Sequence, residues 1–276
     1  MTAGTGADAE PQARKQFSAR WLLLVVLLLA VTAAIASSQL AVGRVELVMH
    51  VTDSAREATI GVRNESNRPV QAIVRLEDWD RSADGANRWY PYGTHTGTGS
   101  CSPALEIFPQ SLRLEPGAEQ SLRVVLDRSR APTSECWAAA VVETVQPAER
   151  DGQQIAYVVR TAVKIYVQPA HVTDEGEIEA MRLVADTSTP SDSSVEVHFA
   201  NTGTRHVVAR GALEVRSPDN AIVNRISLPP VYALPGARHV VRVHLPALKP
   251  GNYVILATMD YGGPDIAAAL LEHRAR

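Results

Sequence analysis

Asp80, Ser82, Asp84 and Gly85 place oxygen ligands at alternate positions with a glycine at the bend, the first half of a calcium-binding loop. The twelfth position of such a loop must supply a bidentate carboxylate. Here it is Pro91, so the run reads as a polar hairpin turn. His239 and His244 are five apart, which on a strand puts them on opposite faces, unable to share a metal. The histidines are dispersed and read as solvated or hydrogen-bonded surface residues. Gly93 to Ser100 is rich in Gly and Thr, but no helix follows to aim its dipole at a phosphate, and a loop tip is the better reading. Trp79, Trp89, Trp137 and Tyr90 are candidates for a sugar-stacking face, with core plugs and loop anchors as the favoured alternative. There is no His-Glu-x-x-His, no Gly-x-Ser-x-Gly elbow and no Gly-x-x-x-x-Gly-Lys. No nucleophile–base pair or metal set emerges, so the chain reads as a non-enzyme without metal or cofactor.

Cys101 and Cys136 are the two cysteines, too few for a zinc ribbon and enough for one bridge. Paired, they would close a loop worth roughly 3–4 kcal/mol and clip the irregular stretch over 80–103 to the start of the strand at Trp137. A free reactive thiol is the alternative.

The elements that must position these residues are strands. Short Val-, Ile-, Leu- and Thr-rich runs alternate with polar or Gly/Pro turns, and almost no apolar set recurs at helical spacing. One set comprises Val45–Val51, Ala58–Arg63, Val70–Trp79, Leu112–Leu114, Ser121–Leu126, Trp137–Val145 and Ile155–Val167, closed by Pro169. A second comprises Ile178–Val184, Val195–Phe199, Val207–Val215, Ile222–Leu228, His239–Leu245, Tyr253–Asp260 and Ala267–Leu271. Two sets of about seven strands predict an all-β chain of two tandem immunoglobulin-like β-sandwich domains, over 40–169 and 176–276, with hinge composition between them. The last strand of the first set runs too long for a core strand. Ile155, Tyr157, Val159, Thr161, Val163, Ile165 and Val167 share one face, with Arg160 and Lys164 on the other. Such length predicts an edge that offers its side chains to something else.

Ahead of these sets, Arg14, Lys15 and Arg20 precede an unbroken apolar run from Trp21 to Ala36, with small residues at Ala34-Ile35-Ala36. This is the layout of a secretory signal over 1–36, shorter than a comfortable membrane span; an uncleaved anchor is the alternative. Either way the body of the chain faces an oxidising compartment. A formal net charge of −3 argues against nucleic-acid binding on a basic surface.

Ile107-Phe-Pro-Gln-Ser-Leu-Arg-Leu-Glu-Pro-Gly-Ala-Glu-Gln-Ser-Leu-Arg-Val125 resembles the signature stretch of periplasmic pilus chaperones of the PapD type. Ala131-Pro132 with Glu135 resembles the run before that family's sixth strand. Val159-Arg-Thr-Ala-Val-Lys-Ile-Tyr-Val-Gln-Pro169 resembles its final strand, and Ala58 to Asn64 its second. The resemblance covers about 42–170. It implies a periplasmic chaperone for exported pilus-type subunits, with an outer-membrane usher as a further partner, no nucleic acid, and membrane contact only through an uncleaved leader. It implies Lys164 as the anchor for a subunit's C-terminal carboxylate, Arg44 as the second cation, and Ile155, Tyr157 and Val159 as side chains lent to the subunit. Two departures stand out: Arg44 lies about four residues further from Asn64 than the family spacing, and Gln168 replaces the family's Arg before the closing Pro. A surface structural or adhesive protein that keeps the fold without chaperone activity is the competing reading.

Overall fold

The structure is a computed structural model that describes residues 39–275 except 96, 98, 102–103, 131, 151 and 186–192; the expected leader lies outside the described residues. The first half is built from β1 (Leu40–Val42), β2 (Glu46–His50), β3 (Glu57–Asn64), β4 (Val70–Arg81), β5 (Asn87–Pro91), β6 (Leu105–Phe108), β7 (Ser111–Leu114), β8 (Glu119–Leu126), β9 (Cys136–Arg150) and β10 (Gln153–Gln168). They form two sheets, β1-β3-β8-β6 and β2-β10-β9-β4-β5, with β7 added to β4. The second half is built from β11 (Gly176–Ala185), β12 (Ser193–Asn201), β13 (Val207–Arg216), β14 (Ile222–Ser227), β15 (Val231–Ala233), β16 (Arg238–Leu245), β17 (Gly251–Asp260) and β18 (Ile266–Ala275). These form β11-β12-β16 and β14-β13-β17-β18, with β15 added to β13. The chain is thus all-β, two immunoglobulin-like sandwiches in tandem.

Alternation decides which face of each strand is covered. In the first sandwich Ile60, Val62, Leu122 and Val124 from one sheet are buried in one core with Val74, Ala138, Ala140, Val142, Val163, Ile165 and Val167 from the other. In the second, Val195, Val197 and Phe199 share a core with Leu213, Val215, Ile255, Ala257 and Met259. The sequence pattern missed β1, β5, β6 and β15, none longer than five residues, where too few alternations occur to stand out. It also ended the strand after Trp137 at Val145. β9 continues to Arg150 through Pro147, which is tolerated because residues 145–150 pair only with β10 and the other edge is open.

Each sandwich carries the same buried asparagine clasp. Asn64 donates from Nδ2 to the carbonyls of Arg68 (2.7 Å) and Leu114 (3.0 Å), and its Oδ1 accepts from Ser66 N (2.9 Å). Asn201 donates to Arg205 (2.8 Å) and Ala233 (3.0 Å) and accepts from Gly203 N (3.0 Å). In both, a strand ends at Asn, an Arg follows four residues on, and a buried valine, Val70 or Val207, opens the next strand. The amide satisfies backbone groups on both sides of a turn that no ladder reaches.

Cys101 and Cys136 are bonded, with Cα atoms 5.0 Å apart. The bond ties the segment before β6 to the first residue of β9. Replacing both with alanine should lower stability by about 3 kcal/mol through the loop it no longer closes. Denaturant midpoints of parent and variant under non-reducing conditions check this; equal midpoints would contradict it.

A cationic cleft between the sandwiches

β10 is the element from which the site is built. One edge pairs with β9 along its whole length, from Gln153 to Val167. The other edge pairs with β2, in parallel, only from Lys164 to Gln168. Residues 153–163 therefore present an unpaired backbone edge among the described residues. The side chains of that stretch change character along the strand. Val163, Ile165 and Val167 are fully buried, while on the same face Val159 and Ile155 are half-buried and Tyr157 is 51% exposed. With Val145 and Val158, also more than half exposed, they make the β9–β10 ribbon an apolar edge left uncovered by the sandwich.

The open edge ends where β2 begins. There the Lys164 amide donates to the Val45 carbonyl (3.0 Å), and the Lys164 side chain turns to the outer face of the sheet. Its Nζ lies 4.5 Å from the centre of the Trp79 ring, a cation–π contact. It lines a cavity of about 360 Å³ between the sandwiches, walled by Trp79, Arg81, Tyr166 and Val45 on one side and by His206 and Tyr232 on the other. Burial, then the charge of Arg81, brings Lys164 down to about 8, against the smaller opposing pull of Glu46. Burial likewise pushes the Tyr166 hydroxyl up.

Around this cavity the sandwiches are joined. Trp79, Trp137 and Tyr166 form an apolar cluster with Leu234 of the second sandwich. Glu135, fully buried, accepts from Gln168 Nε2 (2.9 Å) within its own sandwich and from His206 across the seam, through the backbone amide and ring Nδ1 (2.8 Å). The His206 ring stacks on Tyr166 at 3.8 Å, and its Nε2 lies 3.4 Å from Glu46. At the other end the β4–β5 hairpin rests on the second sandwich, where the Val240 amide donates to Ala83 (3.3 Å) and the Arg81 guanidinium lies over Tyr232 at 5.4 Å. The polar run over 170–175, which reads as a hinge in sequence, is tied down: the Thr204 amide donates to Thr173 (3.0 Å) and Arg205 pairs with Asp174.

Among the residues singled out in the sequence, Lys164 reaches the cleft and Ile155, Tyr157 and Val159 lie along the open edge. Arg44 is exposed in the turn between β1 and β2; the neighbouring Val45, not Arg44, lines the cavity. The cation that accompanies Lys164 in the lining is Arg81. Trp79 and Trp137 are buried, their ring N–H groups donating to the carbonyls of Ala138 (3.1 Å) and Trp79 (2.8 Å), so they offer no sugar platform. Asp80, Ser82, Asp84 and Gly85 lie at the β4–β5 turn, with Gly85 at φ 89°. Ser82 donates to Asp84 and Arg88 pairs with Asp80. Among the described residues no group of three metal-ligating side chains occurs.

His239 departs from the surface reading: it is buried, and its Nε2 has no hydrogen-bond partner among the described residues. Burial, opposed by a hydrogen bond with Ala83, lowers its proton affinity. A histidine held neutral in the fold but free to charge when unfolded removes stability as pH falls below its ordinary 6.5. The His239→Leu variant should therefore lose less thermal stability than the parent between pH 7 and pH 5. A steeper acid limb in the variant would contradict this.

Arg81, Glu46, His206 and Tyr232 went unnoticed in the sequence. Arg81 follows a Trp-Asp pair at a strand end, and its contact with Tyr232 comes from the second sandwich. Two β-sandwiches joined by a buried carboxylate and an aromatic cluster, with an open strand edge entering a cationic cleft, define an architecture rather than a chemistry. Residues 39–173 match the model of the family described as pili and flagellar-assembly chaperone, PapD N-terminal domain. Among curated proteins no sequence matches it significantly. It is similar to the solved YadV chaperone at 12% identity, covering 86% of this chain and 100% of that one, with a TM-score of 0.46. For the Pseudomonas aeruginosa CupB2 chaperone the values are 16%, 86%, 100% and 0.43. For a Salmonella enterica structure of SafA pilin in complex with the SafB chaperone they are 17%, 84%, 96% and 0.42.

Proposed function

We propose that the protein is a periplasmic assembly chaperone that binds exported pilus-type subunits by strand donation. The observation that carries the reading is the unpaired edge of β10 over 153–163, which ends at Lys164. A strand running parallel to β10 on that edge would stop where β2 starts, and its terminal carboxylate would meet the Lys164 ammonium. Ile155, Tyr157 and Val159 would enter the subunit's incomplete sandwich from the face that continues the chaperone's own core. The two domains would be 40–169 and 176–276. Arg44, at the turn where the incoming strand ends, would be a peripheral cation. The competing reading, a surface structural protein, accounts less well for an apolar edge running into unpaired positive charge.

The test is capture from the cell envelope by tagged full-length protein. Recovery of exported subunits by the parent, and their loss from a Tyr157→Asp variant that folds with an unchanged thermal midpoint, is the expected result. Equal recovery by both would sink strand donation.

A further inference from the structure

We propose that Arg81 is a further cation of the same anchor, reaching it from the side of the second sandwich, and that the site selects a client whose last residue is apolar and bulky, seated between Val45 and Tyr232. The inference rests on the strand-and-carboxylate reading above and adds to it which residue the client must end on.

Arg81 stands apart from its neighbours on the same sheet. Arg75 and Arg160 are paired with Glu77 and Glu143, and Arg88 with Asp80. Arg81 has no carboxylate within ion-pair distance among the described residues. Its Nη1 donates to the Gly85 carbonyl of its own hairpin (2.9 Å), and its guanidinium lies 6.0 Å from the Trp79 ring and 5.4 Å from Tyr232. Lys164 is likewise without a carboxylate partner, and both lie on Trp79. Among the described residues Glu46 is the one acid in the lining, and it already faces His206. Two like charges are thus held together in an aromatic-walled space, a repulsive arrangement that an entering anion relieves. The open strand edge that leads here makes the anion a chain terminus.

The terminal side chain is specified by what flanks the cations. Val45 is 74% exposed and Tyr232 is 49% exposed, one from each sandwich, both lining the cavity. About 360 Å³ accommodates a carboxylate and one large side chain. Apolar contact with both walls favours phenylalanine or leucine there. Glycine leaves the walls wet, and lysine adds a third positive charge.

The probes are synthetic peptides of about a dozen residues with alternating valine and threonine, ending in free-acid Phe, amidated Phe, free-acid Gly or free-acid Lys. Binding is read by fluorescence anisotropy with the folded full-length protein. The parent should bind free-acid Phe about tenfold more tightly than its amide, and about fivefold more tightly than free-acid Gly. Arg81→Gln should remove most of the acid-over-amide advantage, while Arg81→Lys restores part of it. Tyr232→Ala should remove the preference for Phe over Gly. If the parent fails to distinguish acid from amide, the carboxylate reading fails and this inference with it. If the parent distinguishes them, the inference alone is overturned by an Arg81→Gln variant that keeps the advantage within about twofold, or by equal binding of Phe and Gly.

Discussion

Replacing Lys164 with methionine is expected to abolish client capture while raising the thermal midpoint of the free protein. The two effects have one cause. The ammonium is half-buried against Trp79, beside Arg81 and, among the described residues, without a carboxylate partner, so the folded state carries a desolvation cost that a bound carboxylate would offset further. Methionine keeps the apolar stem and removes the charge. Truncating one side of a desolvated charge pair costs about 3 kcal/mol, roughly 100-fold in affinity. The pH dependence follows from the same burial. Folding lowers Lys164 from 10.5 to about 8, so the cost is present in full below pH 8 and fades as pH rises from about 8 towards 10.5. The advantage of the methionine variant should be largest near pH 7 and vanish near pH 10.5. Capture by the parent, which needs the ammonium, should weaken as pH rises through 8. Thermal scans and subunit co-purification across this range check both. A methionine variant less stable than the parent at pH 7 would make Lys164 a structural residue.

Glu135→Ala should cost about 4 kcal/mol and loosen the seam between the sandwiches. The carboxylate is fully buried and takes hydrogen bonds from Gln168 and from two groups of His206. Removing it orphans those donors, each at about 1–3 kcal/mol. Because two of them cross the seam, the loss should appear as a second sandwich that unfolds at lower denaturant than the first, and as faster proteolysis over 169–175. Glu135→Gln, which keeps one acceptor, should fall between. A Glu135→Ala protein within 1 kcal/mol of the parent, unfolding in one step, would contradict this account of the seam.

The sequence alone determined the strand content, the sandwich class and the resemblance carried by residues 107–125 and 159–169. Alternation over five or more residues is a local signal, and so is a turn built on Pro and Gly. The excess length of β10 was likewise legible, because its apolar face continues beyond what one core can cover. The partners of Lys164 were not. The resemblance implied Arg44 as the second cation, whereas the cavity lining holds Arg81, far from Arg44 in sequence. Gln168, read as a departure from the family, turns out to bind Glu135, and His206 supplies the other bonds from the second sandwich. Such pairings depend on how two independently folded sheets meet. No periodicity within either one encodes the distance from residue 135 to 206 or from 81 to 232. Local patterning sets which face of a strand is apolar; only the packing of one sandwich on the other decides which charges share a cavity and which are left without a partner.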